Sequence, residues 1–568
     1  TDPTNYSAHR FLADSYSVLP RHEIARVSEL LQSQLLQPIN LTPIQPSLAE
    51  SDLYLISSSG PSSTSFNEFN PLFNRNRATV QASGIAGSDD TWGGEGVVAG
   101  IHDHLSMSAG YSHFETDGWR TNADQEDELA NIFAQYEISP KTSVQAEYRY
   151  RKNERGDLEL TFFEDDVLPY KRVEDETDFF RVGFRHSFVP GSDLIGNFQY
   201  SDKDRSLTDK APDPEFTFPV FHFDLEGEDE AYGGELSYLL RSDVVNVVAG
   251  GGHFDIDAQD EKFVYLDFGS PPPLVLDEST VDADTNHTNL YLYTTSKPVD
   301  QLTLTLGGSG DFYESDDEVL PDEDQFNPKF GVTWELDTGT TLRAAAFRVL
   351  KRTLITDQTL EPTQVAGFNQ FYDVDNGADY WRYGGAVDQK FSESLYGGVE
   401  LTYRDLDFSF VDGTRTVSVN WKDTFVRSYL FWTPCNFASL TAEYQLEDLD
   451  RDEQGAPGAR EAQTHSVPLG INLFHSTGLS ASLKGTYYDQ DGEFERKTNR
   501  GVFEDGDDAF WLFDASISYR LPKRYGMLTV GAKNLFDEEF EYFDRDWENP
   551  QIQPERFFFA KFTLSFPM

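Results

Sequence analysis

The chain has 568 residues and carries 98 acidic against 45 basic side chains, a formal charge of −53. That balance argues against nucleic acid as a partner, because binding phosphate needs a basic surface. Mean hydropathy is −0.52, and no apolar stretch reaches the roughly 18 residues that a membrane-spanning helix needs, so a helical membrane protein is excluded too.

Residues 1–38 read as helical. Between Asn5 and Tyr16, the side chains Ala8, Phe11, Leu12 and Tyr16 share one face. Pro20 interrupts, and His22 to Leu36 then sets Ile24, Val27, Leu30, Leu31 and Leu35 at helical spacing. Two short helices with a proline-marked joint resemble the last unit of a tetratricopeptide array, and an ordinary helical hairpin fits the same pattern. The chain begins at Thr1 without a signal peptide, so an exported protein of this sequence is expected to arise from a longer precursor.

Residues 39–77 are rich in Pro, Ser and Asn and have no period, yet they hold the aromatic cluster Phe66, Phe69, Leu72 and Phe73. Such side chains cost about 1.5–3 kcal/mol each when left in water. The segment is therefore expected to fold into or across the mouth of the domain that begins at Ala78, with the helices below it in the periplasm.

From Ala78 to the end, residues 78–568, the period becomes two. Val144, Ala146, Tyr148 and Tyr150 alternate with Gln145, Glu147 and Arg149; Leu440, Ala442 and Tyr444 alternate with Thr441, Glu443 and Gln445; Leu479, Ala481 and Leu483 alternate with Ser480, Ser482 and Lys484. In a strand these sets point to opposite faces. Alternation sustained this far without a separate buried core predicts an all-β fold, a transmembrane antiparallel barrel.

Short turns such as Ser139-Pro140-Lys141, Pro190-Gly191-Ser192 and Ser476-Thr477-Gly478 recur between long polar connections at 153–174, 205–228, 257–283 and 352–377. About ten short turns with about eleven long loops predict about 22 strands, with short turns and both termini periplasmic and the long loops extracellular. Tyr380, Trp381 and Tyr383 begin one strand and Phe510, Trp511 and Phe513 another, as an interfacial girdle requires. The expected location is the outer membrane of a bacterial cell, with lipid and lipopolysaccharide as the surrounding partners.

Two segments resemble the barrel of TonB-dependent receptors. One is Phe326-Asn327-Pro328-Lys329-Phe330-Gly331-Val332-Thr333-Trp334, followed by Thr341-Leu342-Arg343-Ala344-Ala345-Ala346-Phe347. The other is Gly531-Ala532-Lys533-Asn534-Leu535-Phe536-Asp537-Glu538-Glu539-Phe540, in the penultimate strand, before the aromatic terminal strand Phe558, Ala560, Phe562, Leu564, Phe566. The resemblance implies a 22-stranded barrel and uptake across the outer membrane. It also implies a plug domain larger than residues 1–77 provide.

No enzyme signature emerges. The eleven histidines are scattered, without a ligand partner at motif spacing, and the single cysteine, Cys435, allows neither an internal disulfide nor a multi-cysteine metal site. Ala249-Gly250-Gly251-Gly252 reads as a strand in which small residues ease packing. No cofactor is called for, though Asp489, Asp491 and Glu493, and likewise Asp505 and Asp507, combine carboxylates with glycines in a way that suits Ca²⁺ at acidic loops.

A barrel this wide either conducts or is plugged. Gln145, Glu147, Arg149, Thr441, Glu443, Gln445, Ser482 and Lys484 would line its lumen, and Phe66, Phe69 and Phe73 would close its mouth. The leading expectation is a transport or export channel coupled to a periplasmic helical-repeat domain. The alternatives are a TonB-dependent-type uptake receptor with its plug missing or replaced, and a structural surface barrel whose loops bind another protein.

Overall fold

The computed structural model describes residues 27–39 and 76–567, apart from 213–219, 270, 317–321, 337–338, 352–354, 356–357, 371–376, 413–414, 452–457, 546–549 and 551. One helix, α1 (Val27–Leu36), precedes the sheet. The first wall sector comprises β1 (Arg77–Gly87), β2 (Trp92–His102), β3 (Leu105–Thr116), β4 (Gln125–Ser139), β5 (Thr142–Arg155) and β6 (Arg172–Val189). Four long strands come next: β7 (Ser192–Pro212), β8 (Val220–Leu240), β9 (Val245–Asp267) and β10 (Leu274–Val299). After them stand β11 (Leu302–Ser315), β12 (Glu323–Leu336) and β13 (Thr340–Leu350), then a small separate hairpin of β14 (Gln364–Val365) and β15 (Phe368–Asn369). The wall resumes with β16 (Asp379–Ser392), β17 (Leu395–Asp412), β18 (Arg415–Cys435) and β19 (Ala438–Arg451). It finishes with β20 (Ala459–Phe474), β21 (Leu479–Arg496), β22 (Asn499–Arg520), β23 (Gly526–Lys533) and β24 (Phe557–Pro567).

Each wall strand pairs antiparallel with its chain neighbour, and β1 pairs with β24 over Thr79↔Pro567 to Gly87↔Phe559. The result is a closed 22-stranded sheet, with the strand number read from the sequence. Closure removes every sheet edge, which a lipid environment demands because no water is there to satisfy an unpaired N–H or C=O.

The alternation sorts the side chains as expected. On β5, Gln145, Glu147 and Arg149 are buried on the inner face, whereas Val144 and Tyr148 are exposed on the outer one. Ile132, Leu290, Phe330, Leu483 and Phe562 are likewise exposed outward. An exterior of this kind is unfavourable in water and favourable against lipid.

The connections predicted at 205–228 and 257–283 are largely strand. β7 and β8 stay paired up to Pro212↔Val220, and β9 and β10 up to Leu266↔Leu274. Beyond the lipid the outer face no longer has to be apolar, so the backbone ladder continues with polar residues on both sides. Asp489, Asp491 and Glu493 on β21 and Asp505 and Asp507 on β22 are also in strands, facing one another in register, rather than in acidic loops. A membrane crossing takes about 9–11 residues per strand. β10 has 26 residues and β23 only 8, so the rim is uneven.

Candidate functional site

The lumen is filled on one side by two segments of the chain itself. Helix α1 lies inside the barrel against the inner wall, where Leu31, Leu35 and Leu36 pack with Ile195, Leu239 and Leu360. The sequence placed this helix below the barrel. Its amphipathic stripe does find an apolar partner, but that partner is the wall. A Cβ on Gly183 of β6 would come within 2.4 Å of Leu35 Cδ2, so the wall is bare of side chain where the helix presses closest.

The other face of α1 meets charge. Gln34 Nε2 donates to Glu147 Oε2 at 3.1 Å, and Gln34 Oε1 accepts from Arg181 Nη2 at 2.7 Å. Glu147 also pairs with Arg181 and lies 3.0 Å from Arg149 Nε. Gln145 Nε2 donates to the Gln34 carbonyl at 3.1 Å, and Gln135 Nε2 to that of Gln37 at 3.0 Å. Of the residues predicted to line the lumen, Gln145, Glu147 and Arg149 are thus on the inner wall but buried beneath α1.

Residues 358–370 of the connection between β13 and β16 fold down into the lumen. Thr359 Oγ1 and the Leu360 N–H both donate to the Glu235 carboxylate, each at 2.9 Å. Glu361 accepts from Tyr293 OH at 2.6 Å and from Asn289 Nδ2 at 3.2 Å, and Gln370 accepts from Lys329 Nζ at 2.7 Å. β14 and β15 turn through Ala366 and Gly367, with φ of 50° and 85°, the left-handed pair that a two-residue hairpin prefers. Phe368 then lies over Gly384, whose Cβ would sit 2.4 Å from its ring. Helix and hairpin meet where Gln32 Nε2 donates to the Leu360 carbonyl at 2.9 Å.

The remaining sector, β20–β24 with β1–β4, holds a cavity of about 250 Å³. Ser480, Ser482, Ser516, Ser518, Thr529 and Thr563 line it with hydroxyls, together with Lys533, Lys561, Phe557 and Phe559. Ser482 was among the predicted lining residues. Lys484 is exposed on the same inward row, Glu443 pairs with Arg427 Nε at 2.7 Å, and Thr441 and Gln445 are half-buried on the inner face beside them.

A lid of loops covers the long-loop end of this sector. Asp157, fully buried, accepts from Lys497 Nζ at 2.8 and 2.7 Å, from Arg120 Nη2 at 3.2 Å and from the Leu168 N–H at 3.0 Å. Asp166 accepts from Thr498 Oγ1 at 2.8 Å and its N–H at 3.0 Å. Phe162 stacks on Phe494 at 4.2 Å and joins Phe163 and Phe543 in one cluster, so the β5–β6 connection is packed against residues around Phe543 of the β23–β24 connection. Burial pulls the Lys497 and Arg120 pKa values down against the pull of Asp157. Burial, with Asp544 beside it, pushes the Tyr542 hydroxyl well above the usual tyrosine value.

The predicted mouth residues Phe66, Phe69 and Phe73, and the first of the two predicted helices, lie outside the described residues. The carboxylates proposed for Ca²⁺ do not form a convergent cage: Asp491 faces Asp507 and Glu493 faces Asp505 along two strands, and Glu493 is taken by Arg460 at 2.9 Å. Among the described residues, the group whose ligand atoms do converge is His113, Glu126 and Glu128. Sequence spacing missed it because the partners come from an adjacent strand.

A closed barrel with an apolar outer face and an occupied lumen is an outer-membrane transport barrel of the receptor type. Residues 54–410, more than half of the chain, match the family described as TonB dependent receptor-like, beta-barrel, and the chain belongs to that family. Among solved structures it resembles the copper transporter OprC, at 14% identity, over 87% of this chain and 80% of that one, with a TM-score of 0.66. It also resembles the ferripyoverdine receptor of the outer membrane of Pseudomonas aeruginosa, at 12% identity, over 87% and 72%, with a TM-score of 0.64. A third is the ferric citrate transporter FecA in its unliganded form, at 14% identity, over 87% and 79%, with a TM-score of 0.63. These likenesses concern the fold. No curated protein matches the chain.

Proposed function

We propose that this protein is a gated uptake receptor of the outer membrane whose lumen is stopped by its own chain, and that its cargo is a small polar solute, uncharged or anionic. The observation that carries this reading is the lodging of α1 and the β14–β15 hairpin segment in the lumen through buried polar contacts to Glu147, Glu235 and Tyr293. Among the described residues, the hydroxyl-lined sector holds a cavity whose lining includes Lys533 and Lys561 beside Asp89, and we take it as the passage. The short-turn end faces the periplasm and the long loops face outward, within lipid and lipopolysaccharide. The loop lid is then the surface a solute or a protein partner meets first.

An export channel fed by a periplasmic helical-repeat domain would hold its helices below the mouth, whereas α1 sits inside the wall. The uptake reading is therefore favoured. Planar-bilayer conductance tests it. The wild-type barrel should stay closed, and a variant with 355–370 replaced by a short Gly-Ser linker should conduct. A wild type that conducts freely, or a variant that stays sealed, would overturn the reading.

A further inference from the structure

The outer face of β3 and β4 carries a cluster unrelated to the lumen. His113 Nδ1 lies 3.4 Å from Glu128 Oε1 and 3.9 Å from Glu126 Oε1, and His113 Nε2 lies 3.7 Å from Glu115 Oε2. The ligand atoms of His113, Glu126 and Glu128 all fall within 4.8 Å of one another. Ligands about 2.0–2.2 Å from a shared zinc-sized ion stand only a little closer together than this.

Three features set this cluster apart from solvated acidic surface. The imidazole is largely buried, lies 4.5 Å from the Trp92 ring, and its Nε2 has no hydrogen-bond partner. Glu115 and Glu126 stand directly opposite each other across the β3–β4 ladder, a like-charge arrangement that costs stability unless a cation lies between. Lys152, cross-strand from Glu128, does not supply that cation, because it is held by Glu154 at 2.6 Å and Glu174 at 2.9 Å. Tyr111 OH meanwhile donates to Glu128 Oε1 at 2.9 Å and fixes the carboxylate, as outer partners of metal ligands do.

We propose that His113, Glu126 and Glu128, with Glu115 at the margin, form a binding site for one divalent transition-metal ion on the outside of the barrel. An imidazole nitrogen with carboxylate oxygens suits Zn²⁺, Mn²⁺ or Fe²⁺, whereas Ca²⁺ and Mg²⁺ take oxygen alone. The ligands come from two hydrogen-bonded strands, so the ion would pin the rim where β3 and β4 leave the membrane.

The test uses the full chain in detergent, stripped with a chelator and titrated calorimetrically with Zn²⁺, Mn²⁺ and Ca²⁺. Saturable Zn²⁺ or Mn²⁺ binding at one ion per chain is expected. It should weaken by about tenfold or more in His113→Gln and in Glu128→Gln, and be unchanged in Asp505→Asn. Retained heat-modifiable gel mobility shows that each variant is folded. Should a variant misfold, the visible absorption of Co²⁺ bound to the wild type reports nitrogen–oxygen coordination directly. The proposal is overturned by no saturable binding, by Zn²⁺ binding that both variants retain, or by Ca²⁺ binding as tight as Zn²⁺ and indifferent to His113.

Discussion

The two halves of this barrel are built differently. From β5 to β17 the lumen is occupied, with glycines opposite Leu35 and Phe368 and buried carboxylates aimed at the lodged chain. From β18 round to β4 the inner face carries hydroxyls and lysines, and loops lie across the top. In one half polarity is a socket for the protein's own segments. In the other it is a surface for something else. An inward polar residue therefore says which face it is on, and its neighbours decide whether it meets protein or solute.

Removing one member of a buried charged pair should separate the halves most sharply. Arg181→Met leaves Glu147 short of a partner beneath α1, and Asp157→Ala strands Lys497 and Arg120 under the lid. Each should cost about 3–5 kcal/mol locally. Hydrogen exchange should show α1 loosened only by the first and the 156–171 loop only by the second. Loosening of both regions by either change would mean that the two closures are one unit.

Next in size is the lipid face. Leu483→Arg should cost about 2–4 kcal/mol near the midplane, whereas Ser482→Arg should assemble normally and narrow the cavity. Gln145→Arg, inward like Ser482, should be poorly tolerated because α1 already lies there. Urea titration of barrels refolded into liposomes ranks the three, and equal tolerance at 145 and 482 would erase the distinction between filled and open sectors. Glu235→Ala should release the hairpin by about 1–3 kcal/mol, since it leaves the buried Leu360 N–H without an acceptor. Limited proteolysis would then cut within 351–378 without unfolding the wall.

The smallest effect is that of pH on the lid. Burial, with Asp508 next, raises the pKa of Glu541, and burial, with Asp89 and Asp537, raises that of Glu555. The folded lid thus holds these protons more tightly than the unfolded chain does, and it gains stability as pH falls toward the carboxylate range. Proteolysis of 534–556 should slow between pH 7 and about pH 5. The exposed Asp165–Arg496 pair works the other way: Arg496 lowers the Asp165 pKa below 3.8, so that contact persists through this window and is lost only in stronger acid. Faster cleavage at pH 5 would contradict the assignment.

The wall was legible because period two is a local signal: Val144 to Arg149 alone states which residues face lipid. Strand length was less so, since Arg205 to Lys210 and Asp257 to Glu261 look like loop once the apolar half of the alternation stops, although their backbone ladder continues. The contents of the lumen were the least legible. Helix α1 could be read as a helix, but nothing in its stripe says that Gln34 seeks a glutamate and an arginine more than a hundred residues away. The hairpin does carry a signal of its own. From Gln358 to Gln370 the only charged residue is Glu361, in a chain whose other long connections are crowded with carboxylates. A loop that avoids charge is a loop preparing to be buried.

The uneven rim has a mechanical consequence. β22 and β23 are joined over Ala515 to Arg520 alone, and β23 is the shortest stave in the wall, while β9 and β10 are stitched from Leu266 down to Val245. This shortest stave lines the hydroxyl-rich cavity through Met527, Thr529 and Lys533, and it adjoins the last strand, which meets the first. Under load, whether from lateral membrane pressure or from a solute wider than the groove, the cylinder should bow there first, much as a cask gives at its thinnest boards, while the β9–β10 wall holds its shape.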